Sequence, residues 1–283
     1  MNESAALADE DWQAWVGRKE TIRERIAPDR VAALAATLGV EGHHAPGAAL
    51  PPGWHWIFFN RFVPRQELGA DGHPKRGGFL PPVSLPRRMW AGGRLTYHKP
   101  LTIGSEGVRE STILKVEAKS GRAGKLVFVT VSHSISCDGA PCVTEQQDIV
   151  YREAAAPGSP VPAATPSPQH GAWSEEFRPD TVLLFRYSSL TSNGHRIHYD
   201  QAYAQAEENY PDLVVHGPLT ATLLQSFAEK HAGKPLKSFA FRGVSPLFVS
   251  SPFHLEGKGD GHALDLWASG PGGALAMKAS AEV

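Results

Sequence analysis

Three runs of alternating side chains decide most of what this chain can become. Val108 to Glu117, Lys125 to Ser136 and Val143 to Arg152 are rich in β-formers and are separated by glycine-containing turns. In the middle run Val127, Val129, Val131 and Ile135 share one face at a spacing of two. A helix brings residues together at three or four, so this spacing specifies strands with one apolar side. With an earlier run at Arg94 to His98, the pattern predicts an antiparallel meander. Such a sheet must bury its apolar face on another layer, and helices are the available material.

The second half repeats the order. Helical spacing over Asp200 to Asn209 and Leu219 to Ala232 is followed by strand runs near residues 238–249, 253–258, 262–269 and 274–281. In the longer helix Leu219, Leu223, Leu224, Phe227 and Ala228 form one stripe, and Gly217-Pro218 mark its start. Pro100-Leu101 and Pro246-Leu247 recur at equivalent places in the two halves. Between them, Ala154 to Gln169 carries five prolines among alanine and serine, a composition expected neither to pack nor to pair in a sheet. The expectation is an α+β protein of two helix-plus-antiparallel-sheet units: a domain over 1–153, a linker over 154–172 and a second domain over 173–283. A chain of 283 residues is long enough for two such cores.

Two further helices are predicted at the N-terminus, over Trp12 to Arg25 and, beginning at Pro28, over Asp29 to Leu38. Residues 43–90 follow with many prolines, glycines and aromatics. A long irregular segment in a folded region is often functional, and here it would serve as a cover over a cleft.

Bulk properties remove several functions. Lysine and arginine total 28 against 29 acidic residues, so no basic field is available for nucleic acid. Cys137 and Cys142 are too few for a disulfide framework and stand in no zinc pattern. The acidic start lacks the features of a secretory signal, and no run approaches a membrane span. A cytoplasmic protein with no membrane or nucleic-acid partner is expected. The turn from Gly121 to Lys125 has the wrong glycine spacing for a phosphate loop, and Leu126 stands where Ser or Thr is needed.

Chemistry concentrates between Leu184 and Asp200. Asn193 precedes His198 by five residues across Gly194, a spacing that lets an amide and an imidazole converge on one water, although a satisfied structural histidine has the same sequence appearance. Asp200 is positioned to cap the next helix. His195, His198 and Asp200 invite a metal reading, but no fourth ligand is identifiable, so neither a metal nor a cofactor is expected. Gly217 would let a substrate oxygen approach backbone N–H groups at a helix start, or would simply begin the helix.

Asn193-Gly194-His195-Arg196-Ile197-His198-Tyr199-Asp200, followed by His216-Gly217-Pro218-Leu219, resembles the hydratase motif of the MaoC-like (R)-specific enoyl-thioester hydratases, and more narrowly the hydroxyacyl-thioester dehydratase type 2 branch. Leu80-Pro81-Pro82 and Leu85 to Gly93 are similar to the N-terminal dehydratase-like domain of mesaconyl-C4-CoA (3-methylfumaryl-CoA) hydratases. The resemblance covers nearly the whole chain. It implies a double hot dog, two antiparallel sheets each wrapping a central helix, with a non-catalytic first half. It also implies a hydro-lyase acting on an acyl-CoA thioester. His198 matches the catalytic histidine, Gly217 the glycine that binds the thioester carbonyl, and Asn193 the position that the wider family gives to an aspartate. An asparagine can orient water but cannot exchange a proton.

For a substrate ending in a carboxylate, such as a mesaconyl or itaconyl thioester, Arg196, Arg186, Arg87 and Arg88 are the expected binding residues, with His216 beside the thioester. A homodimer is compatible with the fold. Three alternatives stay open: a dehydratase of fatty acid metabolism, an acyl-CoA thioesterase, and a non-catalytic acyl-thioester binding module.

Overall fold

A computed structural model describes residues 12–42, 44–121, 124–154, 163–168 and 171–283. The strands are β1 (Lys19–Arg25), β2 (Arg87–Tyr97), β3 (Glu106–Gly121), β4 (Gly124–Cys137), β5 (Ala140–Arg152), β6 (Trp173–Phe177), β7 (Ser238–Gly243), β8 (Phe253–Gly259), β9 (Ala263–Gly270) and β10 (Ala274–Glu282). The helices are α1 (Pro28–Leu38), α2 (Thr181–Thr191), α3 (Gln201–Ala206) and α4 (Gly217–Ala232). Among the described residues, no helix is long and apolar enough to cross a membrane.

The meander is present as expected. Val127, Val129, Val131, His133, Ile135 and Cys137 are all buried along β4. The two halves, however, share one antiparallel sheet of ten strands, ordered β1-β3-β4-β5-β2-β7-β10-β9-β8-β6. They join where β2 pairs with β7, from Gly92 opposite Arg242 to Thr96 opposite Ser238. A Cβ on Gly92 would lie 2.5 Å from the Phe241 carbonyl oxygen, so the junction needs a residue without a side chain.

The second half follows the expected plan: α4 packs along β7, β8, β9 and β10, its apolar stripe buried in their concave face. The first half uses a shorter insert. The 3-10 turn Trp54–Ile57 is wholly buried and continues into buried Phe58 and Phe59, while α1 packs against α2 of the other half. Side chains from both halves merge in one core, including Ile26, Trp54, Ile57, Leu219, Leu224 and Phe227.

Two local expectations are corrected. Trp12 to Arg25 is a 3-10 turn at Trp12–Trp15 followed by strand β1, because Lys19–Arg25 has alternating burial and the open edge of β3 offers it a full antiparallel ladder. Pairing outweighs the helix preference of a Glu- and Arg-rich segment. In the linker, residues 155–162 and 169–170 lie outside the described residues, but Thr165 to Ser167 does pair. Ser167 N–H donates to Gly273 O at 2.8 Å, and Leu275 N–H to Thr165 O at 2.8 Å. The segment meets the start of β10, where an edge can accept proline-containing chain.

Candidate active site

Helix α2 delivers the first part of the site. Asp180 caps it by accepting from Leu183 N–H at 2.7 Å, and Ser192 ends it in the left-handed conformation at φ 53°. The sharp reversal turns Asn193 toward the space between the halves. Its Oδ1 accepts from His195 N–H at 3.1 Å, which fixes the amide orientation and leaves its NH2 as the donor side.

The loop from Asn193 to Asp200 is held from outside by the first half. Arg196 N–H donates to Asp71 O at 2.9 Å and Arg196 Nη1 to Ala70 O at 3.2 Å. Gly72 and Gly194 stack backbone on backbone, so a Cβ on either would enter the other's carbonyl oxygen. The long irregular segment thus covers the motif loop.

His198 is buried. Its Nδ1 lies 2.7 Å from the Val214 carbonyl. A carbonyl only accepts, so Nδ1 carries the proton and Nε2 keeps its lone pair. Burial pushes the imidazole down to about 4, against the pull of that carbonyl, so the ring is neutral at pH 7. His216 stacks on it at a centroid distance of 3.7 Å and is likewise held neutral, first by burial and then by His198. His216 Nε2 is 2.8 Å from Ser188 Oγ. His216 also stands immediately before α4, so this stacked pair lies at the start of that helix.

Gly217 opens α4, with Pro218 behind it. An added Cβ at 217 would meet nothing within 4 Å. The first N–H groups of a helix have no intrahelical acceptor, and Pro218 removes one. The open face at Gly217 therefore presents N–H and the positive end of the helix dipole to a partial negative charge.

A cavity of about 270 Å³ lies between the halves. Tyr187, Thr191, Asn193 and Pro218 line it from the second half, and His55, Trp56, Phe59, Arg109, His133 and Glu145 are among its lining from the first. The expected arginines are elsewhere. Arg196 is committed to Asp200 Oδ2 through Nε at 3.0 Å and Nη2 at 2.7 Å, and stacks on Tyr203. Arg87 pairs with Glu208 and donates to Glu207 O at 2.7 Å. Arg186 is exposed on α2, and Arg88 lies beside Tyr151. None of the four is among the cavity's lining residues, and nor are His198, His216 and Gly217; the motif reaches the cavity through Asn193 and Pro218.

The expected cap is present, since Asp200 Oδ1 accepts from Tyr203 N–H at 3.1 Å. Its other oxygen is taken by Arg196, and among the described residues Asp200 forms no ligand cluster with His195 and His198. His195 instead meets Asp71 and His73, and their ligand atoms all lie within 4.8 Å of one another. Asp71 Oδ2 is already bonded to His73 Nδ1 at 3.0 Å, and burial holds His195 down at about 2.

The residues missed from sequence are those of the first-half wall. Their signal was available: His133 occupies the buried phase of the run that carries Val127, Val129 and Val131, and a polar residue in an inward position is the informative exception.

A family model for hydroxyacyl-thioester dehydratase type 2 matches residues 53–249, across both halves and the motif. The chain belongs to this family. It is 48% identical over 281 residues to the mesaconyl-C(4)-CoA hydratase of Chloroflexus aurantiacus, covering 98% of this chain and 99% of that one. It is 32% identical to the mitochondrial hydroxyacyl-thioester dehydratase type 2 of Schizosaccharomyces pombe, over 73% of this chain and 77% of that one. The fold is that of a MaoC-like dehydratase from Phytophthora capsici (TM-score 0.71, 13% identity, 96% of this chain and 97% of that one). It is also that of a Mycobacterium tuberculosis protein described as a double hotdog fold (TM-score 0.58, 12% identity, 94% and 96%). The protein is thus a double hot dog and an enzyme of the enoyl-thioester hydratase/dehydratase class.

Proposed function

We propose that the enzyme adds water reversibly to a short, branched 2-enoyl-CoA thioester with a free carboxylate, of the mesaconyl-C4-CoA (3-methylfumaryl-CoA) or itaconyl-CoA type. The observation that carries the reaction is the neutral His198 with its free Nε2 beside the open N-terminus of α4. The match to the Chloroflexus aurantiacus enzyme along nearly its whole length supports the substrate.

In this reading the thioester oxygen accepts N–H at Gly217, which withdraws electrons from the double bond. Asn193 NH2 donates to a water. His198 Nε2 takes a proton from that water as its oxygen bonds to the β-carbon, and the electron pair of the double bond moves onto the thioester oxygen as an enolate. The imidazolium then returns the proton to the α-carbon, directly or through the water. Atoms balance with no other acid, so an asparagine at 193 is sufficient.

The test follows hydration of 2-enoyl-CoA thioesters by absorbance in His198→Ala. Loss of a general base lowers kcat by about 10²- to 10⁴-fold. Near wild-type turnover would remove the assignment. Release of free thiol without hydration would favour a thioesterase.

A further inference from the structure

The cavity wall opposite Asn193 is charged, and the reaction just described makes no use of it. Strands β3, β4 and β5 bring Arg109, His133, Glu145 and Gln147 to this wall, with His55 and Trp56 from the 3-10 turn. Glu145 is 1% exposed, yet its carboxylate is satisfied. Trp56 Nε1 donates to Oε1 at 3.0 Å, Gln147 Nε2 to Oε1 at 2.9 Å, and His55 Nε2 lies 3.1 Å from Oε2. Those donors outweigh burial and hold the group ionised. His133 is also engaged, with Nδ1 2.8 Å from Ser111 Oγ.

Arg109 differs from its neighbours. Its Nε is buried with no acceptor. Its Nη2 is 3.9 Å from Glu20, beyond hydrogen-bond reach, and that carboxylate is also approached by Arg61 at 3.5 Å. The guanidinium sits 5.8 Å from the Phe59 ring centre, on the cavity side of the sheet. A buried cationic donor without an acceptor is unfavourable, and the loss is recovered when a ligand supplies one. The edge that makes no hydrogen bond, Nε with Nη2, is the side of a guanidinium that takes a carboxylate through two parallel bonds, with Glu20 only at ion-pair distance from Nη2.

We propose that Arg109 binds the free carboxylate of a dicarboxylic 2-enoyl thioester whose thioester end lies at Gly217. Glu145 stays ionised behind it, its oxygens taken by Trp56, Gln147 and His55 and its charge set against that of Arg109, so no acceptor lone pair of the wall competes with the substrate for the arginine. The inference rests on the dicarboxylic substrate class proposed above. It places acyl selection in the first half and reaction chemistry in the second.

The experiment compares kcat/KM for mesaconyl-C4-CoA and crotonyl-CoA in the wild type, Arg109→Met and Arg109→Lys. Methionine keeps much of the apolar stem, and lysine keeps the charge without the fork. The wild type should prefer the dicarboxylic substrate. The preference should fall about 10- to 100-fold in Arg109→Met, mainly through KM, and by less in Arg109→Lys. A purely structural arginine would weaken both substrates together and leave the ratio unmoved. A preference retained within about twofold in soluble Arg109→Met overturns the role of Arg109 while the substrate class stands. A wild type that hydrates crotonyl-CoA but no dicarboxylic thioester overturns the substrate class, and this inference with it.

Discussion

At the scale of single residues, the site depends on what each group lacks. His198 has only one nitrogen committed, Gly217 has no side chain, and Arg109 has a donor without an acceptor. Gly217 is the sharpest case. A methyl group there meets nothing within 4 Å and the backbone is ordinary helix, so Gly217→Ala should fold with unchanged or slightly raised stability. The methyl would instead stand where the thioester oxygen approaches. We expect an unchanged Tm together with a fall in kcat/KM of about 10²-fold, comparable to loss of an oxyanion donor. Equal activity in glycine and alanine forms would remove Gly217 from the site. The motif residues could be read from sequence because they lie within 25 residues of one another, from Asn193 to Gly217. Arg109 could not, because its meaning arises from Asn193 and Pro218 reaching the same cavity from the other half.

At the scale of elements, long alternating runs were legible and short or cooperative ones were not. β3, β4 and β5 bury their own apolar phase, so local pattern and tertiary role agree. β6 and α2 were not anticipated. The five residues of β6 become a strand only by pairing with β8, and α2 shows no clean apolar stripe, since Val182 and Phe185 are exposed while Ser188 is buried. The docking of residues 69–73 on the motif loop was legible only as a generic cover. It makes a distinct prediction. Gly72 has φ +87°, and its Cβ would collide with the Gly194 carbonyl, whereas Gly17 has φ +84° and no neighbour within 4 Å. Gly17→Ala should therefore cost only the left-handed backbone penalty, about 1–2 kcal/mol. Gly72→Ala should cost about 2–4 kcal/mol and lower kcat as well, because the motif loop must move. Denaturant midpoints and turnover for the pair decide it. Equal destabilisation would mean that the cover does not set the loop.

At the scale of the molecule, the sheet and the larger of two hydrophobic clusters are continuous across the halves, so buried groups in either half report on one cooperative unit. Among the imidazoles buried in it are those of His133, His195, His198 and His216. Burial is the leading cause for each: His133 is pushed down to about 4, with Glu145 opposing; His198 to about 4; His195 to about 2, with His73 adding; and His216 well below its ordinary value. In the unfolded chain a histidine titrates near 6.5. The folded values are lower, so between about pH 4 and 6.5 the unfolded state binds more protons, and stability rises with pH there. The contribution is complete above 6.5 and is lost as pH falls toward 4. His198 alone accounts for about 3 kcal/mol over that range, at ~1.4 kcal/mol per tenfold change. Ionised Glu145 is lowered from 4.5 to about 2, so its contribution is complete above about pH 5 and is lost only between those two values, adding to the acid loss there and leaving the slope above pH 5 to the histidines. Acid should thus unfold the protein before it protonates the proposed base. The urea midpoint should drop steeply from pH 7 to 5 in one transition shared by both halves. In the same range kcat should stay nearly constant for the fraction that remains folded. A midpoint that is flat between pH 7 and 5 would mean that the buried imidazoles are not held neutral. Two separate transitions would mean that the β2–β7 junction does not couple the halves.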